Sequence, residues 1–258
     1  MTYDEILFTI KPPIALLTLN NPKKINALSK KMIAEMIDAL TGITTDETVK
    51  VIIIRAAGKH FCAGHFLGEI VAKDAKEYKS IFDQCSRLMH KIHEIPQPVI
   101  AQVQGIATAA GCQLVAWCDL AVAAENARFA TPGVKIGLFC TTPMVALSRA
   151  IGRKAAMEML LTGRYVLAEE AKALGLINCV TTLDKLAQET ESIALKIAEA
   201  SRYVLSIGKQ AFYAQIDQTD ENAMHYAKNT MAFNNLAKDA QIGIKAFLDK
   251  EVPKWENC

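Results

Sequence analysis

The chain is 258 residues long, 51% hydrophobic and 22% charged, with a formal net charge of +2. No Pro-, Gly- or Ser-rich linker divides it, which bounds it to one domain, and the near-balanced charge gives no nucleic-acid-binding signature. Its longest apolar runs, Val51-Ile52-Ile53-Ile54 and Val99 to Val103, fall far short of the roughly 18 residues a membrane span needs, and Met1-Thr2-Tyr3-Asp4-Glu5 lacks a signal-peptide pattern, so a cytoplasmic location without a membrane partner is expected.

In chain order, apolar runs at 6–10 and 14–19 flank Lys11-Pro12-Pro13 and predict a hairpin closed by Asn20-Asn21-Pro22. Ser29 predicts an N-cap, because Met32, Ile33, Met36, Ile37 and Leu40 follow at helical spacing. Residues 49–55 predict a buried strand, and after a loop over 56–68 a long helix carries Ile81, Phe82, Cys85, Leu88, Met89 and Ile92 on one side. A strand at 99–103, a helix from about 111 to 117 and a strand at 120–124 follow. From Pro143 onward helices dominate, at 155–161, 168–174 with Gly175 as a stop, 183–200, 203–215, 222–236 and 240–250. The expected fold is α/β: a strand-helix core over 1–200 and a helical region over 201–258, together one continuous domain.

Where the strand at 99–103 stops at Gly105 and a helix begins near Gly111, several backbone N–H groups are left at a helix N-terminus. Such a place suits a phosphate, a carboxylate or the developing oxyanion of a thioester, and the local residues alone do not choose among these. Seven cysteines, an odd number without a CxxC pair, predict reduced thiols. His60, Cys62 and His65 have no second ligand pair elsewhere, and their neighbours Phe61 and Phe66 favour packing, so no metal is expected.

Several pieces together resemble the crotonase superfamily, the enoyl-CoA hydratase/isomerase family, over nearly the whole chain. They are Asn21-Pro22 with Asn26-Ala27-Leu28, Phe61-Cys62-Ala63-Gly64, Pro98-Val99-Ile100-Ala101 with Gly105, Gly111-Cys112, Cys118-Asp119, Phe129, Pro132, Gly137, the segment 157–163, and Ala168 through Gly175-Leu176. Ala63-Gly64-His65, Pro132-Gly133-Val134, Gly137-Leu138-Phe139-Cys140 and the segment 204–209 resemble a divergent branch of that family. The resemblance implies a crotonase-like spiral of ββα turns with a C-terminal helical region, assembly as a homotrimer or a dimer of trimers, and an acyl-CoA substrate with no other cofactor.

The same resemblance assigns residues. The thioester oxygen would sit between the backbone amides of His65 and Ala110. Substrate-binding positions would be Lys24, Ala27, Ala63, Gly64, Phe66, Leu67, Gly111, Gly133, Cys140, Phe247 and Lys250. Lys24 and Lys250 would face the coenzyme, where a lysine suits phosphate, and Phe247 the acyl chain. Taken without the family, the two lysines read as solvated surface and Phe247 as core.

Hydratases of this family carry two glutamates that hold and activate water. The matching positions here are Gln113 and Gly133, neither of which transfers a proton. Acid and base groups each contribute roughly 10²- to 10⁴-fold, so hydration by that route is not expected, although Gln113 can still orient a water. His65 offers an imidazole suited to proton transfer, or else only its backbone amide with the ring toward solvent. Glu69, four residues on, would orient that imidazole if the loop continues as a helix, or serve as a helix N-terminal charge. Cys140 reads as a packed thiol in preference to a nucleophile, and Asp119 as a framework residue. The readings left are an acyl-CoA-processing, enoyl-CoA hydratase-like protein stabilising a thioester enolate, a decarboxylase of malonyl-type acyl-CoA, and a non-catalytic acyl-CoA-binding protein.

Overall fold

The computed structural model describes residues 2–257; Met1 and Cys258, the last of the seven cysteines, lie outside the described residues. The hairpin forms from β1 (Ile6–Lys11) and β2 (Ile14–Leu19), with Lys11 opposite Ile14. β2 then runs parallel to β3 (Val51–Ala56), β3 to β4 (Val99–Val103), β4 to β6 (Leu120–Ala124) and β6 to β9 (Cys179–Thr181), giving a six-stranded sheet in the order β1-β2-β3-β4-β6-β9.

Both faces of this sheet are covered, which is why its central strands are continuous apolar runs without alternation. Ile52 and Ile54 of β3, Val99, Ala101 and Val103 of β4, and Ala121 and Ala123 of β6 face the main core with α1 (Lys30–Gly42), α2 (Ala75–Glu94) and α3 (Ala110–Trp117). Val51, Ile53, Ile100, Val122 and Ala124 face the other way, against Leu186, Ala194 and Ala198 of α7 (Leu186–Ala198). Ser29 caps α1 as its spacing predicts, its hydroxyl accepting from Met32 N–H at 2.9 Å.

A second, three-stranded sheet adds to the predicted elements. β5 (Ile106–Thr108), β7 (Arg128–Ala130) and β8 (Val166–Leu167) are two or three residues long, too short for any hydrophobic period to register, and they order as β5-β7-β8. Ala107, Phe129 and Val166 join this sheet to the main core. Helices α4 (Thr141–Ala150), α5 (Arg153–Thr162) and α6 (Ala168–Leu174) follow the predicted helical stretch, and α7 starts three residues later than its apolar pattern suggests, since Leu183 is half exposed in a turn.

The chain ends in α8 (Arg202–Gln215), α9 (Asp220–Asn234) and α10 (Lys238–Asp249). One buried cluster fastens α8 to the core. The Lys209 ammonium donates to Asp119 at 2.7 Å and to the carbonyls of Ile92 (2.7 Å) and Gln97 (2.8 Å). The Asp119 carboxylate also accepts Val99 N–H (2.6 Å) and the Tyr213 hydroxyl (2.7 Å). Asp119 is thus a framework residue, as its place before a strand indicates. His93, for which the sequence offers no partner, stacks between Trp117 and Tyr213 at ring distances of 4.7 and 3.6 Å. Among the described residues no helix is long and apolar enough to cross a membrane.

Candidate active site

The site is built where the segment after Phe61 meets the start of α3. Cys62 N–H donates to Ile106 O at 3.0 Å and Thr108 N–H returns a bond to Cys62 O at 2.9 Å, so β5 and this segment are in register. Gly64 has φ +96, and a Cβ on it would lie 2.9 Å from Thr108 O and 3.2 Å from Ala110 N. Gly111 packs so tightly that a Cβ there would run into the Cys62 carbonyl. The two glycines let the two backbones touch.

Two N–H groups are left over by this packing. The parallel bridge between Leu28 and His65 uses Gly64 O, which accepts Leu28 N–H at 2.8 Å, and Phe66 N–H, which donates to Leu28 O at 3.0 Å. The N–H of His65 therefore faces the opposite side. Ala110 is the first residue of α3, so its N–H has no carbonyl one turn back. Among the described residues neither donor has a backbone acceptor. The positive φ at this turn falls not on Ala110 but on Ala109, at φ 50 and ψ −119.

Side chains around this pair differ in part from the sequence reading. The His65 ring does not point to solvent: it meets Phe82 edge-on at 5.4 Å, its Nε2 is buried without a partner, and burial pushes its pKa down to about 4, leaving it neutral near pH 7. Glu69 does not orient it. Its carboxylate accepts Lys30 N–H at 2.8 Å and charges the start of α1, because residues 67–69 make only a single 3₁₀ turn. Gln113 lies one turn along α3 from Ala110, 4% exposed, its amide oxygen unpartnered. At Gly133 a Cβ would lie 2.6 Å from Leu138 O and 2.8 Å from Cys140 Sγ, so the place of a second carboxylate is already filled. Cys140 is buried and burial raises its thiol pKa, so it packs as a neutral thiol against Gly133.

Farther out, Lys24 places its ammonium 4.1 Å from the centre of the Phe66 ring, with Ala27 buried, Ala63 half-buried and Leu67 exposed nearby in the chain. Phe247 is 83% exposed, so it is not core, and Lys250 is an exposed helix C-cap with φ +58. His60 and Cys62 each have a local task, accepting from Ile106 N–H (3.3 Å) and Gly64 N–H (3.4 Å), and among the described residues no group of three metal-ligating side chains forms. A cavity of about 690 Å³ opens elsewhere, at the C-terminal end of α3 between His90, Trp117, Arg149 and Phe212.

Comparison with known proteins gives these residues a context. The family profile described as Enoyl-CoA hydratase/isomerase matches residues 9–258. The chain is 46% identical over 240 residues to enoyl-CoA hydratase domain-containing protein 3, mitochondrial, of Danio rerio, covering 93% of this chain and 83% of that one. The crystal structure of an enoyl-CoA hydratase from Mycobacterium smegmatis superposes with TM-score 0.95 at 46% identity, over 98% of this chain and 99% of the other. That of human enoyl coenzyme A hydratase domain-containing protein 3 does so with TM-score 0.95 at 44% identity, over 98% and 100%. A mostly parallel sheet wrapped by helices and these likenesses agree: the chain belongs to the enoyl-CoA hydratase/isomerase family, the crotonase superfamily, in the branch of enoyl-CoA hydratase domain-containing protein 3.

Proposed function

We propose that this protein binds an acyl-CoA and stabilises the enolate of its thioester with the amides of His65 and Ala110. The observation that carries the reading is the pair of unused N–H donors on two segments held in van der Waals contact at Gly64. Removing one such donor typically costs roughly 3–4 kcal/mol of barrier, because it acts in a dry, preorganised setting. The positive end of α3 adds to the same field. Lys24, seated on Phe66, supports a place for the anionic coenzyme beside the loop.

Hydration through two carboxylates is not part of this reading. Gln113 carries no acid, Gly133 has no room for one, and a neutral imidazole with a pKa of about 4 is a weak base at neutral pH. The uncharged acyl end supports decarboxylation of a malonyl-type thioester as a second reading, since that step needs an oxyanion hole more than a proton shuttle. Exposed apolar residues on the tail, Phe233, Leu236, Phe247 and Leu248, support self-association as a homotrimer or a dimer of trimers. The six described thiols are all free, which supports the cytoplasm or a compartment of similar redox poise.

Incubation with crotonyl-CoA and with methylmalonyl-CoA, each followed by mass spectrometry of every CoA product, tests the reading. Binding of CoA thioesters without crotonyl-CoA hydration is expected, and carbon dioxide release from methylmalonyl-CoA would select the second reading. Rapid hydration would sink the account of Gln113 and Gly133. Absence of binding to any CoA thioester would sink the whole reading.

A further inference from the structure

Of the twelve residues of α10 only Asp239 and Ala246 are buried, so side-chain packing holds this helix weakly. The segment that follows supplies what packing does not. At Lys250, with φ +58, the chain turns back: Lys250 N–H donates to Phe247 O at 3.3 Å and Glu251 N–H to Ala246 O at 2.8 Å. Residues 251–257 then return along the helix they have just left. The Trp255 ring lies against Gly243, where a Cβ would be 3.0 Å from it. Glu256 N–H and Asn257 N–H donate to the Asp239 carboxylate, in the first turn of α10, at 2.7 and 2.9 Å.

The same segment is fastened to the corner between α7 and α8. Trp255 Nε1–H donates to Glu199 O at 2.7 Å, the Asn257 amide oxygen accepts Arg202 N–H at 3.1 Å, and the Ser201 hydroxyl donates to Asp239. That corner is itself tied to the core. The Lys50 ammonium donates to the carbonyls of Ala198 (2.8 Å) and Ala200 (2.9 Å), and the Arg202 guanidinium to Thr44 O at 3.0 Å. Asp239 is 1% exposed, and a carboxylate is tolerated there because donors surround it. Two of those donors belong to the returning segment, so lifting the segment away strips the buried charge of partners.

We propose that residues 251–257 are a strap, and that Asp239 and Trp255 are positioning residues which, through it, hold Phe247 and Lys250 in place for the ligand. This rests on the acyl-CoA reading above. Phe247 is 83% exposed and Lys250 is an exposed cation on the same turn, a pairing suited to an anionic ligand with an apolar chain. The strap starts in the turn that these two residues form, and a lysine keeps the left-handed backbone of Lys250 where surrounding structure imposes it. Without the strap the last turn of α10 frays. A ligand must then order ring and ammonium as it binds, which weakens affinity while the paired amides stay as they were.

The test combines hydrogen exchange with calorimetric titration by butyryl-CoA. In Trp255→Ala, exchange in α10 is expected to quicken at least about ten-fold while the sheet keeps its protection, which also shows that the variant is folded. Its Kd for butyryl-CoA is expected to rise about five-fold or more, and Asp239→Ala to act in the same direction. Lys250→Met raises Kd in the otherwise unaltered protein but adds less than about two-fold to Trp255→Ala, the non-additivity of residues that act as one unit. Trp255→Phe, which keeps a ring against Gly243, retains most of the affinity. Additive losses from Trp255→Ala and Lys250→Met, a Lys250→Met without effect, or an α10 whose exchange Trp255→Ala leaves unchanged overturns the inference while leaving the acyl-CoA reading in place. Failure of the unaltered protein to bind butyryl-CoA would instead remove the acyl-CoA reading and this inference together.

Discussion

Ala109 holds φ 50 and ψ −119, a conformation in which a Cβ is strained, and it does so immediately before the amide of Ala110. Strain of this kind costs of order 1–3 kcal/mol, so Ala109→Gly is expected to raise stability by about 1 kcal/mol once the greater entropy of the unfolded glycine is counted. A higher Tm with acyl-CoA affinity unchanged checks it. Gly133→Glu has the opposite sign. Its first carbon meets Leu138 O at 2.6 Å, so a Tm loss matching at least about 1–3 kcal/mol is expected, and Gln113→Glu combined with it should still not hydrate crotonyl-CoA. That the segments of His65 and Ala110 meet was legible in the sequence only through the family resemblance, and the packing at Gly64 and Gly111 shows how they meet. The place of the His65 ring was not legible: its neighbour, Phe82, sits on α2, and only the fold brings the two to 5.4 Å.

The elements divide by length. α1, α2, β3 and β4 could be read because each repeats its pattern over several turns or pairs, whereas β5, β7 and β8 are too short to repeat anything. What holds α8 in place was equally hidden, since Asp119, Lys209 and Tyr213 are far apart in the chain and look like ordinary polar residues. Lys209→Met leaves Asp119 half-buried with one fewer partner, and breaking a buried ion pair this way typically costs about 3–5 kcal/mol. Urea unfolding should report a loss toward that range, the Val99 and Tyr213 bonds holding it to the lower end. Hydrogen exchange should quicken in α8 to α10 before the sheet. Uniform quickening through the sheet would mean that the tail and core unfold as one unit.

Across the whole molecule, two buried imidazoles respond to mild acid. His65 and His93 are each held down to about 4 by burial, against the ordinary value of 6.5. As pH falls the unfolded chain takes up these protons first, so the contribution of the two rings is full above about 6.5, declines between 6.5 and 4, and levels below that. The His65 share is up to about 3 kcal/mol. Melting curves from pH 7 to 4.5 should show the decline, and His93→Phe, which keeps a stacked ring between Trp117 and Tyr213, should shallow it. Light scattering should return a multiple of the 28.2 kDa chain, given the apolar residues that the tail leaves uncovered.

α3 has only eight residues, so its ends are about 12 Å apart. One end presents the Ala110 amide and the other, through Trp117 and Asp119, meets the ring stack and ion pair that fasten the tail. The helix therefore works as a ruler with marks at both ends. An inserted or deleted residue would turn one end by about 100° against the other, and the Ala110 amide could not keep its place beside Gly64 while Asp119 still met Lys209. Single-residue replacements within α3 should be graded in their effects, whereas any change in its count should abolish ligand binding and tail docking together.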